Sequence, residues 1–361
     1  MSIRKSCEAL MRQAIELAKK GVGTTHPNPR VGAVVVNHGQ IVGEGWHERP
    51  GEAHAEVMAL QQAGAEAKGG TIYVTLEPCA AHGRTPACTA AIHRAGIRHV
   101  VFASSDPNPA MAGGAKVLQA LGVEVTAGVL REEADALNKA FFHYLRTGRP
   151  YVIAKAAISL DGKLATRTHH SQWISGEVCR QHAHALRAQC DAILVGAGTL
   201  LHDNPSLTVR DASVVGNVPL RVVLCFETPA FFEPCSLLSD DAPTRFYVRS
   251  LNKHTKAWTD AGVQVMQSSS LLSVLQSLAA DGYLQLLLEG GGALHTSFFE
   301  AQYSDEMVLY QAPIIIGGRD AVSLWGSQGA ETVDKAIGLD HVQREAMGKD
   351  QMIRGAVVYP D

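Results

Sequence analysis

The chain has 361 residues, 46% hydrophobic and 19% charged, with 32 basic against 35 acidic side chains and a net charge of −3. That length favours two domains. Without a long run of Lys or Arg, the charge balance argues against a polyanion-binding surface. The N-terminus lacks the apolar core of a signal peptide, and no apolar run reaches membrane-spanning length. Seven unevenly spaced cysteines fit a reducing cytoplasm with metal-bound and free thiols better than a disulfide framework.

In chain order, residues 5–20 carry apolar positions at helical spacing (Leu10, Ala14, Leu17, Ala18), and Gly21 is placed to end that helix. A turn-rich loop, His26-Pro27-Asn28-Pro29-Arg30, leads into a strand from Val31 to Val36. The chain turns at Asn37-His38-Gly39 into a second strand around Ile41-Val42. Residues 54–63 predict a short helix closed by Gly64, and Thr71 to Leu76 a strand that delivers Glu77-Pro78-Cys79. Thr85 is placed as an N-cap with Pro86 at the first helical position, and Gly96 as the stop. A strand at His99 to Ala103 and a last strand–helix pair from Val123 to Leu145 follow. Alternating strands and helices predict an α/β layered domain with a largely parallel sheet.

Thr147-Gly148-Arg149-Pro150 is the boundary, and the pattern restarts with the apolar strand Tyr151 to Ala157. A second α/β set is predicted beyond it. It has a helix near 176–188, strands at Ala192–Val195, Arg221–Cys225, Arg245–Val248 and Leu284–Leu288, and a helix around 293–301.

His54-Ala55-Glu56, then Pro78-Cys79, then Cys88 carry the chemistry of the first half. One imidazole and two thiols are the donor set of a catalytic zinc site, which keeps a fourth position open. Zinc lowers the pKa of water to about 7, and Glu56 is placed to move the proton. The signature is close to that of zinc nucleobase deaminases, in which the two cysteines stand three apart rather than nine. A closed structural site with His82 as fourth ligand stays open as an alternative, although it has no use for Glu56. In the second half there is no G-x-G-x-x-G. Leu286-Leu287-Leu288-Glu289-Gly290-Gly291-Gly292 instead runs from a buried strand into a helix, bringing backbone N–H groups within reach of a pyrophosphate. Alone, such glycines are as readily a tight turn.

Several strings resemble the bifunctional deaminase–reductase family of bacterial riboflavin biosynthesis. They are His26-Pro27-Asn28-Pro29-Arg30-Val31-Gly32, His54-Ala55-Glu56, and Glu77-Pro78-Cys79 through His82-Gly83-Arg84-Thr85-Pro86-Ala87-Cys88. The second half joins them with Lys155 through Lys163, Ser171-Gln172-Trp173-Ile174-Ser175, and Asp203 through Arg210. The wide cysteine spacing is that family's own. The resemblance implies residues 1–147 as a zinc-dependent pyrimidine deaminase domain of cytidine-deaminase-like fold. It implies residues 150–361 as an NADPH-dependent reductase domain like dihydrofolate reductase. The implied substrate is 2,5-diamino-6-(5-phosphoribosylamino)pyrimidin-4(3H)-one, whose deaminated product has its ribosyl group reduced to ribityl.

By the same resemblance His54, Cys79 and Cys88 hold zinc, Glu56 shuttles the proton, and Asn28, His47, His82 and Arg84 contact the pyrimidine substrate. Ala157, Trp173, Thr199, Asp203, Gly291 and Gly292 line the NADPH site. Ser171, Arg187, Leu207, Arg210 and Glu289 contact the reductase substrate, with Arg187 and Arg210 as phosphate grips. Lys155 and Asp161 are candidates for proton movement, and Trp173 as core filler is the competing reading. His169-His170 and His182/His184 are a weaker candidate metal site than a set of surface histidines. The family self-associates, which implies a dimer or tetramer. Two other classes compete: a nucleic-acid base deaminase with an accessory nucleotide-binding domain, and a structural-zinc protein with a regulatory nucleotide module.

Overall fold

A computed structural model describes residues 3–81, 86–210, 218–226, 235–239, 241–326 and 328–360. The chain divides between Gly148 and Arg149 into two units.

The first unit runs α1 (Ile3–Lys19), β1 (Gly32–Asn37), β2 (Gln40–Trp46), α2 (Ala55–Ala63), β3 (Thr71–Leu76), α3 (Cys88–Arg94), β4 (His99–Ser104), α4 (Gly114–Ala120), β5 (Glu124–Ala127), α5 (Arg131–Leu137) and α6 (Lys139–Thr147). Its sheet has the order β2-β1-β3-β4-β5. The β3–β4 and β4–β5 pairs are parallel, but β1 pairs antiparallel with both β2 and β3. The expected parallel sheet is therefore only half parallel, because the tight turn after Asn37 can join only antiparallel neighbours. Met11, Ala14 and Ile15 of α1 pack with Val34 of β1 and Tyr73 of β3 in one buried cluster. On the other strand edge, α2 lies directly on β2. A Cβ at Gly45 would sit 2.5 Å from the Ala55 carbonyl oxygen, so the close approach that seats the start of α2 needs glycine there.

Two local expectations are corrected here. Helix α3 begins at Cys88 with Ala87 as N-cap, so Pro86 is not its first helical residue; Thr85 lies outside the described residues. The first N–H of the helix goes to a thiol instead of a threonine, since Cys88 N–H donates to Cys79 Sγ at 3.2 Å. The helix expected up to Leu145 is two, α5 and α6, broken at Asn138. The Asn138 side chain is committed elsewhere, accepting from Arg30 N–H at 2.8 Å and donating to the Arg30 carbonyl at 2.9 Å.

The second unit runs β6 (Tyr151–Ile158), β7 (Lys163–Ala165), α7 (Glu177–Gln189), β8 (Ala192–Gly196), α8 (Ala197–Asp203), β9 (Leu220–Cys225), β10 (Thr244–Val248), α9 (Lys253–Asp260), β11 (Gln264–Gln267), α10 (Leu271–Ala280), β12 (Gln285–Leu288), α11 (Gly292–Glu300), β13 (Glu306–Gln311), β14 (Val322–Ser323), β15 (Gly338–Met347) and β16 (Asp350–Val358). The large sheet has the order β11-β10-β9-β8-β12-β6-β13-β16-β15. Strands from β11 to β13 pair parallel, and the β16–β15 hairpin closes the edge antiparallel. Covered on both faces, the central strands read as unbroken apolar runs, such as Ile193-Leu194-Val195 and Leu286-Leu287-Leu288, all at most 1% exposed. Their parallel direction brings many carboxyl ends to one side, where open α/β sheets bind ligands.

Candidate active sites

In the first unit three side chains arrive from three elements. His54 is the N-cap of α2, Cys79 follows the end of β3, and Cys88 is the first residue of α3. Their ligand atoms all lie within 4.8 Å of one another, and among the described residues this is the single such cluster. His54 Nδ1 is 3.1 Å from Cys88 Sγ and 3.7 Å from Cys79 Sγ. Tetrahedral zinc at ordinary bond lengths requires an N···S separation of about 3.6 Å, so the donor set fits that ion. The hydrogen bond from the Cys88 thiol, with lesser help from His54, pulls Cys79 down to about 4. Cys88 is pushed up by the same hydrogen bond and by burial. The Cys79 sulfur also accepts the first N–H of α3, from Cys88, and a helix start favours a thiolate there.

Glu56 sits in the first turn of α2, two residues after His54, and is 3% exposed. Burial raises its pKa above the ordinary carboxylate value, opposed mainly by the His54 charge. A carboxyl group so tuned gives up and takes back a proton more readily near neutral pH.

Beside it, His47 Nδ1 lies 3.1 Å from the Ala53 carbonyl and its Nε2 3.0 Å from Asn28 Nδ2. A carbonyl only accepts, so Nδ1 carries the proton and Nε2 accepts from Asn28. Burial lowers the His47 pKa, which keeps that neutral tautomer. The Asn28 amide is thereby oriented, with its oxygen turned away from His47. His82 and Arg84 lie outside the described residues.

Sequence reasoning missed what holds Cys79 in place. The Glu77 carboxylate accepts from Ala115 N–H at 2.9 Å and Asp106 N–H at 3.3 Å. A Cβ at Gly114 would lie 1.8 Å from the Pro78 oxygen. No local pattern announces a glycine whose partner is 36 residues away.

In the second unit a cavity of about 1250 Å³ opens at the carboxyl ends of the parallel strands. Ala157, Trp173, Thr199, Asp203, Gly291 and Gly292 all line it, as do Ser171, Arg187, Leu207, Arg210 and Glu289. Gly291 is the N-cap of α11, and a Cβ there would meet nothing nearer than Thr199 Oγ1 at 3.9 Å. Gly198 in the first turn of α8 is likewise open, so these two backbone positions form a cradle as a pyrophosphate requires, while Gly290 and Gly292 are packed against Leu294 and the Ser323 carbonyl. Trp173 is 65% exposed with the Arg180 guanidinium 4.8 Å over its ring, which rules out the core-filler reading. Leu207 is buried with φ at +49°, a conformation L-residues avoid, and it shapes the cavity floor under that strain.

Glu289 follows β12 and receives Arg187 Nε at 2.8 Å and Nη2 at 2.7 Å, with Lys155 Nζ at 3.7 Å. Burial pushes its pKa up, but the Arg187 and Lys155 charges prevail and hold it at about 2. Lys155 therefore belongs to the cavity. Asp161 does not: it accepts Ile316 and Gly317 N–H groups at 3.0 and 2.8 Å, outside the cavity lining. The weaker histidine-cluster reading gains no support among the described residues. His182 bonds Tyr310, His184 lies beside Arg210 N–H, and His169 stacks on His202 at 4.5 Å.

The RibD C-terminal domain family matches residues 150–353, and the cytidine and deoxycytidylate deaminase zinc-binding region matches residues 4–104. The chain belongs to the RibD family. The riboflavin biosynthesis protein RibD of Aquifex aeolicus (strain VF5) is 43% identical over 354 residues, covering 97% of this chain and 98% of that one. A RibD structure from Acinetobacter baumannii superposes with a TM-score of 0.89 at 34% identity, covering 99% of this chain and 100% of that one. A Thermotoga maritima diaminohydroxyphosphoribosylaminopyrimidine deaminase/5-amino-6-(5-phosphoribosylamino)uracil reductase gives 0.88 at 33%, covering 100% of both.

This RibD-family chain is a bifunctional enzyme of riboflavin biosynthesis, with a cytidine-deaminase-like first domain and a reductase second domain. Its cofactors are zinc and NADPH. The near full-length match sets aside the nucleic-acid base deaminase, and an enzyme with two activities sets aside the regulatory zinc module. Among the described residues no helix is long and apolar enough to cross a membrane.

Proposed function

We propose that residues 1–147 hydrolyse the 2-amino group of 2,5-diamino-6-(5-phosphoribosylamino)pyrimidin-4(3H)-one, and that residues 150–361 reduce the ribosyl group of the product. The observation that carries this reading is the buried Glu56 beside the three-ligand cluster of His54, Cys79 and Cys88.

Zinc, held by those three side chains, supplies the Lewis acidity that makes water nucleophilic at neutral pH. Glu56 accepts the proton of the attacking water and delivers it to the departing amine nitrogen, so that water adds and ammonia leaves. Its burial keeps the proton on this route by excluding bulk solvent. Asn28, oriented by His47, offers a carbonyl and an N–H to the pyrimidine edge. His82 and Arg84 are assigned to the substrate by resemblance.

In the second domain NADPH supplies the hydride, and Ala157, Trp173, Thr199, Asp203, Gly291 and Gly292 hold it. Glu289, kept ionised by Arg187 and Lys155, fixes the ribose hydroxyls as acceptor. Arg210, exposed at the cavity wall, takes the 5′-phosphate. Arg187, engaged by Glu289 and the Thr208 carbonyl, presents only its remaining N–H groups. Ser171 and Leu207 complete the substrate side. Dimer or tetramer formation is part of the same reading and rests on the resemblance; sedimentation tests it.

The testing variant is Arg210→Ala. Reduction weakens while ammonia release stays near wild type; equal loss of both would contradict separate phosphate grips.

A further inference from the structure

We propose that Arg249, with Ser269 beside it, grips the 2′-phosphate and is the residue by which this enzyme takes NADPH in preference to NADH. The proposal rests on the reading of the second-domain cavity as the cofactor site.

That cavity does not stop at the glycine cradle. It continues past β8 to Leu224 and Phe226 at the end of β9, Arg249 at the end of β10, Ser269 and Ser270 between β11 and α10, and Leu271 at the start of α10. Neighbouring strands stand about 4.8 Å apart, so the end of β10 is roughly 10 Å from β8, where the cradle lies. A nucleoside leading away from a pyrophosphate on the cradle spans that interval. The other end of the cavity is taken by Lys155, Arg187 and Glu289, the reacting end. The sheet order β11-β10-β9-β8-β12-β6 thus places Arg249 at the adenosine end.

The chemistry of that end, among the described residues, is that of an anion site: a guanidinium with no acidic side chain beside it. The Arg249 guanidinium lies 5.3 Å over the Phe226 ring, which fixes its plane. Its backbone carbonyl accepts from Gln267 Nε2 at 3.0 Å, which ties the strand end to β11. Among the described residues no carboxylate pairs with its side chain. The nearby arginines of the same sheet are committed: Arg245 pairs with Asp281 at 2.8 Å, and Arg221 donates to Ser239. Ser270 is committed too, since its hydroxyl caps α10 by accepting from Ser273 N–H at 3.2 Å. Ser269 has no such duty among the described residues. A planar guanidinium with a hydroxyl beside it suits a phosphate monoester. The 2′-hydroxyl of NADH offers it no charge to pair.

The test is nucleotide binding to the purified full-length protein, without turnover. Fluorescence titrations with NADPH and NADH are run on wild type, Arg249→Ala and Arg249→Lys. Adenosine 2′,5′-bisphosphate and adenosine 5′-phosphate serve as competitors, and thermal melting checks the fold. Arg249→Ala is expected to weaken NADPH and the bisphosphate roughly 10- to 100-fold, the loss of charge-assisted hydrogen bonds. NADH and adenosine 5′-phosphate change by no more than about twofold. Arg249→Lys recovers part of the NADPH affinity. Equal weakening of both dinucleotides, or unchanged NADPH binding, would overturn the proposal while leaving the cofactor site in place. A wild-type protein that bound neither dinucleotide would overturn the cofactor-site reading itself.

Discussion

Arg187 and Glu289 meet in a two-pronged hydrogen bond, Nε to Oε1 at 2.8 Å and Nη2 to Oε2 at 2.7 Å, on the wall of the reductase cavity. Both side chains are nearly buried, at 12% and 8% exposure. Such a pair is worth little against an apolar replacement, but breaking it strands a buried charge. Glu289→Ala should therefore cost about 3–5 kcal/mol of stability, read as a lower denaturant midpoint. A loss below about 1 kcal/mol, the usual worth of an exposed pair, would mean that water reaches Arg187.

The same carboxylate sets an acid limit. Glu289 titrates at about 2 in the folded chain against 4.5 ordinarily. Its contribution is complete above pH 4.5 and disappears as pH falls toward 2. That contribution is about 3 kcal/mol at 1.36 kcal/mol per unit. Unfolding midpoints between those pH values should fall less steeply in Glu289→Ala than in wild type. Parallel profiles would contradict the assignment.

His295 supplies a second, higher acid leg. It is completely buried in α11, and burial lowers its pKa from 6.5 to about 4. The unfolded chain takes up a proton below pH 6.5 that the folded chain refuses until about 4. Stability is therefore lost as pH falls through that window, again by about 3 kcal/mol. His295→Leu should flatten this leg between pH 7 and pH 4, measured against wild type under the same denaturant. An unchanged slope would show that His295 is protonated in the native state.

Gly114 links the sheet to the metal site. Its missing side chain admits the Pro78 carbonyl, one residue before Cys79. Gly114→Ala forces that strand end to move and should lower zinc affinity roughly 10- to 100-fold, as lost outer support of a ligand does. Zinc competition with a chelator measures it. Retained affinity would mean that the Glu77 contacts alone hold Cys79.

How much of this was legible depended on the range of each determinant. His54, Cys79 and Cys88 could be read because each sits at a helix start or strand end that local sequence marks. The strands Ile193–Val195 and Leu286–Leu288 could be read because a strand covered on both faces is apolar throughout. The break between α5 and α6 could not, since Asn138 is claimed by Arg30, 108 residues away. The β15–β16 hairpin escaped because β15 is exposed along most of its length and shows no period-2 apolar face. Arg249 escaped for a third reason: only the order of strands brings it to the cavity.

The proton-shuttle role separates an enzyme site from a structural one. Glu56→Gln keeps the shape of the side chain and all three metal ligands. Zinc content should stay at the wild-type level while ammonia release falls about 10²- to 10⁴-fold, the span of general acid–base catalysis. Unchanged release would remove Glu56 from the chemistry.

The central claim is that one chain performs deamination and then reduction at two sites. The direct measurement adds the diaminopyrimidine phosphate to zinc-loaded protein, first alone and then with NADPH, following ammonia and NADPH absorbance separately. Ammonia should appear without NADPH, and NADPH should be consumed only once deaminated product is present. No ammonia from the zinc-loaded protein, or NADPH oxidation that ignores deamination, would contradict it.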